Sequence, residues 1–192
     1  MELYKTLDEL SDKVSKLRNH VATEEATKTA FVLPFLVSLG YDIYNPLEVI
    51  PGMDCDISRK GDKVDYAINI DSKPALIVEC KQCGKSLDAF VLQLAKYYVA
   101  TKARFAILTN GVEYRFYSDM DRVNLMDSKP FFVFDISSFD KHDVELLERF
   151  QKNSFDEQKI MQIAENINIE EKVRAFLEND VFKCSDTFAR YI

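Results

Sequence analysis

The sequence of 192 residues contains no tryptophan and only five glycines and five prolines. So few glycines and prolines argue against a disordered chain and against a repetitive one. No apolar run approaches the roughly 18 residues that a membrane-spanning helix needs, and the first residues lack the apolar segment of a signal peptide. We therefore expect a soluble, cytoplasmic protein with no membrane partner.

Cysteine is also scarce. Four cysteines without a secretory signal favour free thiols over a disulfide framework. Cys80 and Cys83 form a Cys-x-x-Cys motif, which is typical of a redox pair or of half a zinc site. The candidates for a second half form no closely spaced pair: Cys55, Cys184, His20 and His142. A redox or zinc protein is therefore a minor alternative.

Positive charge is in the minority, because 25 Lys and Arg residues face 32 Asp and Glu residues, for a net charge of −7. Phosphate contacts drive non-specific binding to nucleic acid, so this chain should not adhere to DNA over its whole surface. Any DNA contact must be local or shared with another subunit. Four basic residues are candidates for a local positive surface, although a solvated helix face explains them equally well: Lys85, Lys96, Lys102 and Arg104.

The apolar residues, 47% of the chain, suffice for one substantial core. A first helix carries an apolar stripe that could pack on the domain or pair with a second copy of the chain in a homo-oligomer. The stripe consists of Leu3, Leu7, Leu10, Val14, Leu17 and Val21. Thr23 is a candidate N-cap for a second helix, which Pro34 should kink or divide before Gly40.

Strand patterns follow the helices. A polar turn at residues 71–74 predicts an antiparallel pair, and a helix over residues 86–101 should lead to a parallel strand over residues 104–109. Asn110-Gly111 predicts a type I′ hairpin into the next strand, and residues 131–136 predict another strand.

These elements predict an α/β fold with a mixed central sheet flanked by helices. We expect one domain over residues 1–139, which includes the N-terminal helix. A helical tail over residues 140–192 should pack on it or extend from it. Within the tail, Asn168 begins a sequence that resembles a capping box and predicts the start of a helix.

Charged residues lie at the ends of two predicted strands. Glu79 and Lys81 are two residues apart and so point to the same face of a strand, while the turn folds Asp65 back toward Glu79. Two carboxylates beside an ammonium group are suited to Mg²⁺. The plainer interpretation is that these are strand-end charges neutralised by Lys63, Lys73 or Lys81.

Two further polar residues lie on the helix that follows. Gln93 and Tyr97 are four residues apart and therefore share one helical face. Each is unremarkable alone, but both could reach the edge of the sheet that carries the strand-end charges.

Taken together and in order, these motifs resemble the N-terminal nuclease domain of type I restriction enzyme R subunits, within the PD-(D/E)xK nuclease superfamily. The residues that carry the resemblance are Glu24-x-x-Thr27-Lys28, Pro34-x-Leu36-x-x-Leu39-Gly40-Tyr41, Asp65, Glu79-x-Lys81, Gln93-x-x-x-Tyr97 and Leu108-Thr109-Asn110-Gly111-Val112-Glu113-Tyr114. It covers residues 20–139 and implies a restriction-endonuclease-like fold.

The resemblance implies a DNA endonuclease that depends on Mg²⁺, or on Mn²⁺ in its place. Asp65 and Glu79, with the carbonyl of Cys80, would hold the metal. Lys81 would position or activate the attacking water, and Glu24 would join the metal shell. Glu24 is chosen over its neighbour because it lies ten residues before Pro34, as the family spacing requires.

The same resemblance implies that Gln93 and Tyr97 orient the substrate or support the metal ligands. It also implies a role in restriction-modification, in a prophage or another mobile element. R subunits carry a large DNA-translocating motor that has no counterpart in this sequence, so a motor or specificity subunit is an expected partner beside DNA.

Two alternatives stay open from the sequence. The domain could be a DNA- or protein-binding module of the same fold without catalysis. A nucleotide-binding loop at Gly84-Lys85-Ser86 is disfavoured, because Glu79 stands where such a loop needs a glycine, and its charge would repel phosphates.

Overall fold

The computed structural model describes residues 2–55 and 61–178. Six strands form one sheet, in which the order in space is the order along the chain. The strands are β1 (Val49–Asp54), β2 (Lys63–Ile70), β3 (Lys73–Cys80), β4 (Phe105–Thr109), β5 (Glu113–Tyr117) and β6 (Phe132–Asp135). All neighbouring pairs are antiparallel except β3 and β4, which are parallel. The mixed sheet predicted from the sequence is confirmed.

Helices flank this sheet. They are α1 (Glu2–Leu17), α2 (Glu24–Thr27), α3 (Leu33–Ser38), α4 (Val91–Thr101), α5 (Lys141–Leu147) and α6 (Glu157–Phe176). A π-helical turn, Lys28–Val32, joins α2 to α3, and 3₁₀ turns at Asp88–Phe90 and Glu148–Phe150 precede α4 and follow α5. The helix α4 is the crossover between β3 and the parallel β4, as the sequence predicted, but it begins at Val91 and not at residue 86, because a 3₁₀ turn precedes it.

The sheet is buried on both faces because its strands alternate between two cores. On β3, Leu76 and Val78 join a large core that also contains buried residues of α1, α3 and α5, whereas Ile77 joins a smaller core against α4. This alternation follows from the two-residue period of a strand. A helical layer on each face is therefore required to cover apolar side chains.

The apolar stripe of α1 packs within its own chain. Leu3, Leu7, Leu10 and Val14 are buried, and α1 contacts α3 and α5. Of the two partners that the sequence left open for this stripe, the structure gives it the domain itself. Leu17 lies beyond the packed part and remains partly exposed.

The second helical segment begins and divides where the sequence predicted. The Thr23 side chain accepts a hydrogen bond from the amide of Ala26 at 3.1 Å, so Thr23 is the N-cap of α2. Before Pro34 the helix widens into the π-helical turn, where the amide of Leu33 bonds to the carbonyl of Lys28. Because Pro34 has no amide hydrogen to donate, a change of helical geometry next to it sacrifices fewer backbone hydrogen bonds than the same change elsewhere in the helix.

The type I′ turn occurs at the first hairpin, for which the sequence predicted a polar turn without a type, and not at Asn110-Gly111, where a type I′ turn was predicted. Asp71 and Ser72 both have positive φ and alone connect the paired residues Ile70 and Lys73, which is the pattern of a type I′ turn. At Asn110-Gly111 only the glycine has positive φ, and three residues connect β4 to β5. The prediction of a type I′ turn there was wrong, because the Asn110 side chain instead accepts hydrogen bonds from the amides of Val112 and Glu113.

The segment after residue 140 contributes to the large core. Val144, Leu147, Phe150 and Ile160 are buried there, and the hydroxyl of Tyr41 donates to the carbonyl of Phe150 at 2.7 Å. No helix begins at Asn168: that prediction was wrong, because α6 starts after its N-cap Asp156 and runs through Asn168 without a break. Among the described residues, no helix is both long and apolar enough to cross a bilayer.

Candidate functional site

The first strand-end carboxylate, Asp65, replaces a backbone partner in the sheet. The paired register of β2 and β3 runs to Tyr66 and Val78, and one step further the amide of Cys80 donates to Asp65 Oδ2 at 2.7 Å. The same register places Asp65 across from Glu79. The antiparallel turn predicted from the sequence therefore brings the two carboxylates to one end of the sheet.

Glu79 and Lys81 form a buried ion pair on that end of β3. Lys81 Nζ lies 2.7 Å from Glu79 Oε1, and both side chains are less than a tenth exposed. The ammonium also lies 4.7 Å from the centre of the Phe90 ring, in a cation–π arrangement. Glu79 Oε2 is buried without a hydrogen-bond partner of normal geometry among the described residues.

The surroundings of Glu79 favour its neutral form. Burial raises the pKa of Glu79 to about 7, and the neighbouring Asp65 carboxylate adds to this shift, whereas Lys81 opposes it. A carboxyl group that titrates near neutrality, beside a lysine and a second carboxylate, is a frequent feature of functional sites.

A second lysine, Lys28, contacts the cluster from the side of the helices. Lys28 Nζ lies 2.5 Å from Asp65 Oδ1, 2.8 Å from Glu25 Oε1 and 3.5 Å from Glu24 Oε1. Burial lowers the pKa of Lys28, but the contacts with Asp65 and Glu25 outweigh it and hold the pKa above its usual value. Lys28 is therefore a charged, largely buried ammonium among three carboxylates.

Glu24, the third predicted acidic residue, lies in the first turn of α2 and is partly exposed. It reaches the cluster through Lys28. Its neighbour Glu25 makes the shorter contact with Lys28 but is mostly open to solvent. The structure thus places both glutamates next to the strand-end carboxylates, with Lys28 between them.

Gln93 and Tyr97 lie on one face of α4 and contact each other, since Gln93 Nε2 donates to the Tyr97 hydroxyl at 2.9 Å. Burial raises the pKa of Tyr97, Gln93 lowers it, and the charge of Glu79 raises it further. The phenol therefore lies within electrostatic reach of Glu79.

Backbone and side-chain hydrogen bonds hold α2 and the end of β3 together. The amide of Cys83 donates to Thr27 Oγ1 at 2.9 Å, and Gln82 Nε2 donates to the carbonyl of Ala22 at 2.8 Å. The amide of Lys81 donates to the carbonyl of Thr109 at 2.7 Å, beyond the last residue of β3. The first two links connect α2 and the residue Ala22 before it to the residues that follow β3, and the third connects the end of β3 to β4.

The cysteines fit a structural role better than a reactive one. Burial raises the pKa of the Cys80 thiol, which is fully enclosed, and also raises that of Cys83. A redox cysteine needs the opposite shift. Cys184 lies outside the described residues, so the second half of the proposed zinc site is not described in full.

The expected positive surface is only partly available. Lys85, Lys96 and Lys102 are exposed. Arg104 instead pairs with the buried Asp119, with 3.1 Å between its Nη2 and Oδ1 of that carboxylate. At Gly84-Lys85-Ser86 the chain makes an exposed turn, and α4 begins only at Val91, so no helix N-terminus follows the turn directly.

Few side chains of this site could bind a metal ion. Across residues 2–55 and 61–178, no three His, Cys, Asp or Glu side chains are grouped so as to hold a metal ion. Mg²⁺ commonly takes one or two carboxylates and completes its shell with water and substrate oxygens. Asp65 and Glu79 supply two carboxylates at this end of the sheet, and Oε2 of Glu79, which has no partner within the part of the chain that the structure describes, is an oxygen that a cation would satisfy.

Two residues of the cluster had no predicted role, Lys28 and Phe90. The spacing of Lys28, three and four residues after the two glutamates, indicates helical ion pairs. Nothing local in the sequence indicates its contact with Asp65, which depends on how the π-helical turn that begins at Lys28 lies relative to β2. No feature of the sequence predicted a role for Phe90, because its contact with Lys81 depends on the 3₁₀ turn before α4.

A mixed sheet with two carboxylates and two lysines at one end defines an α/β protein with a carboxylate–lysine site. The family model described as type I restriction enzyme R protein N terminus matches residues 23–130. This chain belongs to that family, which supports a role related to restriction. No curated protein and no solved structure shows a significant match.

Proposed function

We propose that this protein is a DNA endonuclease that uses Mg²⁺, or Mn²⁺ in its place, at the cluster of Asp65, Glu79 and Lys81. The observation that carries the proposal is the buried pair of Glu79 and Lys81 across from Asp65, with one oxygen of Glu79 that has no partner in residues 2–55 and 61–178. A buried charge cluster is costly to maintain, and structural stability alone does not require it. Membership of a restriction enzyme family supports the same conclusion.

Each residue has a chemical role in this proposal. Asp65, Glu79 and the carbonyl of Cys80 would hold the cation through oxygen atoms, and Glu24 would complete the shell through water. Bound there, Mg²⁺ would offset the charge of the phosphodiester and lower the pKa of an attacking water. Lys81 is placed to stabilise the hydroxide or the pentacovalent phosphate, and Gln93 with Tyr97 to orient the substrate.

The proposal extends to fold and partners. The antiparallel β1–β3, the crossover α4 and the parallel β4 support a restriction-endonuclease-like fold of the PD-(D/E)xK superfamily. The family supports DNA and a motor or specificity subunit as partners, in a restriction-modification or mobile-element setting. The net charge of −7 supports a DNA contact shared with such a partner.

Plasmid cleavage tests the proposal. Supercoiled and linear DNA are incubated with the full chain, with Mg²⁺ and with chelator. Lys81→Met retains the stem over Phe90, and Asp65→Asn retains an acceptor for the Cys80 amide, so both variants should fold, which circular dichroism checks. We expect each to lose cleavage.

Lys152→Met is the matched control, because it removes a partly buried ion pair with Glu48 that lies outside the cluster. It should cut as the wild type does. Undiminished cutting by Lys81→Met or by Asp65→Asn would contradict the assignment.

A non-catalytic binding module is the second candidate, and one observation favours it. Both oxygens of Asp65 are already bonded, one to Lys28 and the other to the Cys80 amide. Titration calorimetry with Mn²⁺ separates the two functions, because a nuclease binds the ion specifically and a module of this kind does not.

A further inference from the structure

We propose that Arg115 is a positioning residue for Lys81: it ties the turn that carries Phe90 to β5 and so holds the ring over the Lys81 ammonium. The catalytic consequence rests on the proposed function, because Lys81 acts in that reaction. The tie itself is measurable without DNA. The mechanism proposed above gives Arg115 no role.

The orientation of Lys81 depends on groups outside its own strand. Lys81 follows the last residue of β3, and its flexible four-carbon stem ends in a compact charge. Glu79 Oε1 lies 2.7 Å from the ammonium, and the centre of the Phe90 ring lies 4.7 Å from it. A catalytic group must keep its orientation within a narrow range, so the position of this ring affects the chemistry of Lys81.

Phe90 belongs to the connection between β3 and α4, which is largely irregular. The last three residues of this connection, Asp88–Phe90, form the 3₁₀ turn, and the preceding Leu87 is buried in the smaller core. A 3₁₀ turn has poorer hydrogen-bond geometry than an α-helix. The orientation of this turn therefore depends on side-chain links to the elements around it.

Arg115 supplies such a link from β5. Its Nη1 lies 2.6 Å from Asp88 Oδ1, and its Nε lies 2.5 Å from Glu113 Oε1 on the same strand. Contacts through separate nitrogens of a planar guanidinium fix its orientation, so the Asp88 end of the turn is fixed relative to β5. Asn110 Nδ2 donates to the carbonyl of Lys85 at 2.9 Å and holds an earlier part of the same connection.

The sheet places Arg115 near the site. Its register partner on β4 is Leu108, and the partner of Leu108 on β3 is Glu79, so the three side chains share one face of the sheet. With about 4.8 Å between neighbouring strands, the backbone of Arg115 lies about 10 Å from that of Glu79. Because its guanidinium is bonded to Asp88 and Glu113, Arg115 acts on Lys81 through the turn.

Lysine acylation tests the tie without DNA. The full chain is treated with acetic anhydride at neutral pH, and mass spectrometry measures the rate of modification at each lysine. Lys28 is a matched internal reference, because its side chain and that of Lys81 are 10% and 9% exposed. We expect Arg115→Met to raise the rate at Lys81 about fivefold, the equivalent of one hydrogen bond, and to leave the rate at Lys28 unchanged.

Two further variants sharpen this test. Asp88→Ala removes the same tie at a side chain that is 78% exposed, so it should fold and raise the rate at Lys81 even if Arg115→Met does not fold. Lys152→Met removes an ion pair outside the site and should change neither rate. An unchanged rate at Lys81 would overturn the inference. Equal increases at Lys81 and Lys28 would also overturn it, because they indicate a general loosening of the fold.

DNA cleavage tests the catalytic consequence. Arg115→Met should lower kcat about tenfold with KM nearly unchanged, because Lys81 acts on the transition state and Arg115 does not bind DNA. Phe90→Leu should lower kcat too, and the double variant should be no slower than the slower single variant, since both changes act through one ring. Additive losses, or a raised KM with kcat unchanged, would overturn the inference.

Failure of the proposed function gives a different result. A wild-type chain that does not cleave DNA contradicts that function. Acylation of Lys81 then still decides whether Arg115 holds the turn over the ammonium, so the two failures are distinguishable.

Discussion

The amide of Cys80 on β3 donates a hydrogen bond to the side chain of Asp65 on β2, with 2.7 Å between N and Oδ2. At this end of the sheet a carboxylate therefore continues the ladder that backbone carbonyls form elsewhere. The same carboxylate receives Lys28 from the helical layer. Asp65 thus has a structural role that is measurable separately from any catalytic one.

Removal of Asp65 should destabilise the fold even without DNA or metal. We expect Asp65→Ala to lower the free energy of unfolding by about 2–4 kcal/mol, since it leaves a buried amide unsatisfied and removes a partner of Lys28. Asp65→Asn should recover about 1 kcal/mol, because its amide oxygen accepts from Cys80. Urea denaturation measures both variants.

The control for this pair is Asp54→Ala, in the neighbouring strand. Asp54 pairs with Lys63 in solvent, with both side chains more than half exposed, so its loss should cost less than about 0.5 kcal/mol. Equal destabilisation by Asp65→Ala and Asp54→Ala would contradict the structural role of Asp65.

The raised pKa of Glu79 predicts a pH dependence of stability. Its carboxyl titrates at about 7 in the fold and near 4.5 in the unfolded chain, so between these values the folded state binds more protons. Stability from this group should therefore fall as the pH rises from 4.5 to 7, by at most about 3 kcal/mol. Denaturation of the wild type and of Glu79→Gln across this range isolates the contribution.

In Glu79→Gln nothing titrates at this position, so other groups account for its pH dependence. The wild type should lose stability relative to the variant as the pH rises. Parallel curves for the two proteins would show that Glu79 has an ordinary pKa in the fold.

The hydroxyl of Tyr97 should matter for cleavage more than for folding. Tyr97→Phe removes the acceptor of Gln93, and we expect DNA cleavage to fall about tenfold, the equivalent of one hydrogen bond, with little loss of stability. The matched control is Tyr98→Phe, which loses the bond from Tyr98 to the carbonyl of Arg104. Cleavage rates and thermal melting of both variants decide whether the effect is specific.

If Tyr98→Phe reduces cleavage as much as Tyr97→Phe does, the loss is a general effect of a weakened α4. An unchanged cleavage rate in Tyr97→Phe would remove this phenol from the proposed site.

Gly111, in the β4–β5 connection, lies against the helical layer. A Cβ at this position would lie 2.8 Å from Thr27 Cγ2 and 3.0 Å from Phe31, and its φ of +79° disfavours any other residue. Gly111→Ala should cost about 2–4 kcal/mol through overpacking and backbone strain. Gly84→Ala is the control, since it has a similar φ with nothing within 4 Å, and should cost about 1 kcal/mol.

Urea denaturation compares these two glycine variants. If Gly111→Ala and Gly84→Ala lose the same free energy of unfolding, a Cβ at position 111 does not clash with Thr27 of α2. Because Thr27 precedes Lys28, Gly111→Ala should also weaken cleavage.

Much of the architecture follows from local patterns in the sequence. The period of Leu3, Leu7, Leu10 and Val14 specifies α1 and its buried face, and Thr23 specifies the start of α2. Local patterns fail where tertiary contacts outweigh them. Asn110 forms no type I′ turn because its side chain bonds to neighbouring amides and to the carbonyl of Lys85, and α6 continues through Asn168.

The proximity of Asp65, Glu79 and Lys81 could also be predicted from the sequence, because strand alternation and an antiparallel turn suffice to bring them together. The sequence by itself determined which residues meet at the end of the sheet. Only the tertiary structure decided their partners: Lys28 for Asp65, Phe90 for Lys81 and, as far as the structure describes the chain, none for one oxygen of Glu79. The physical reason is the separation along the chain. Periodic patterns describe residues a few positions apart, whereas these contacts depend on how helices and strands that are distant in the chain pack together.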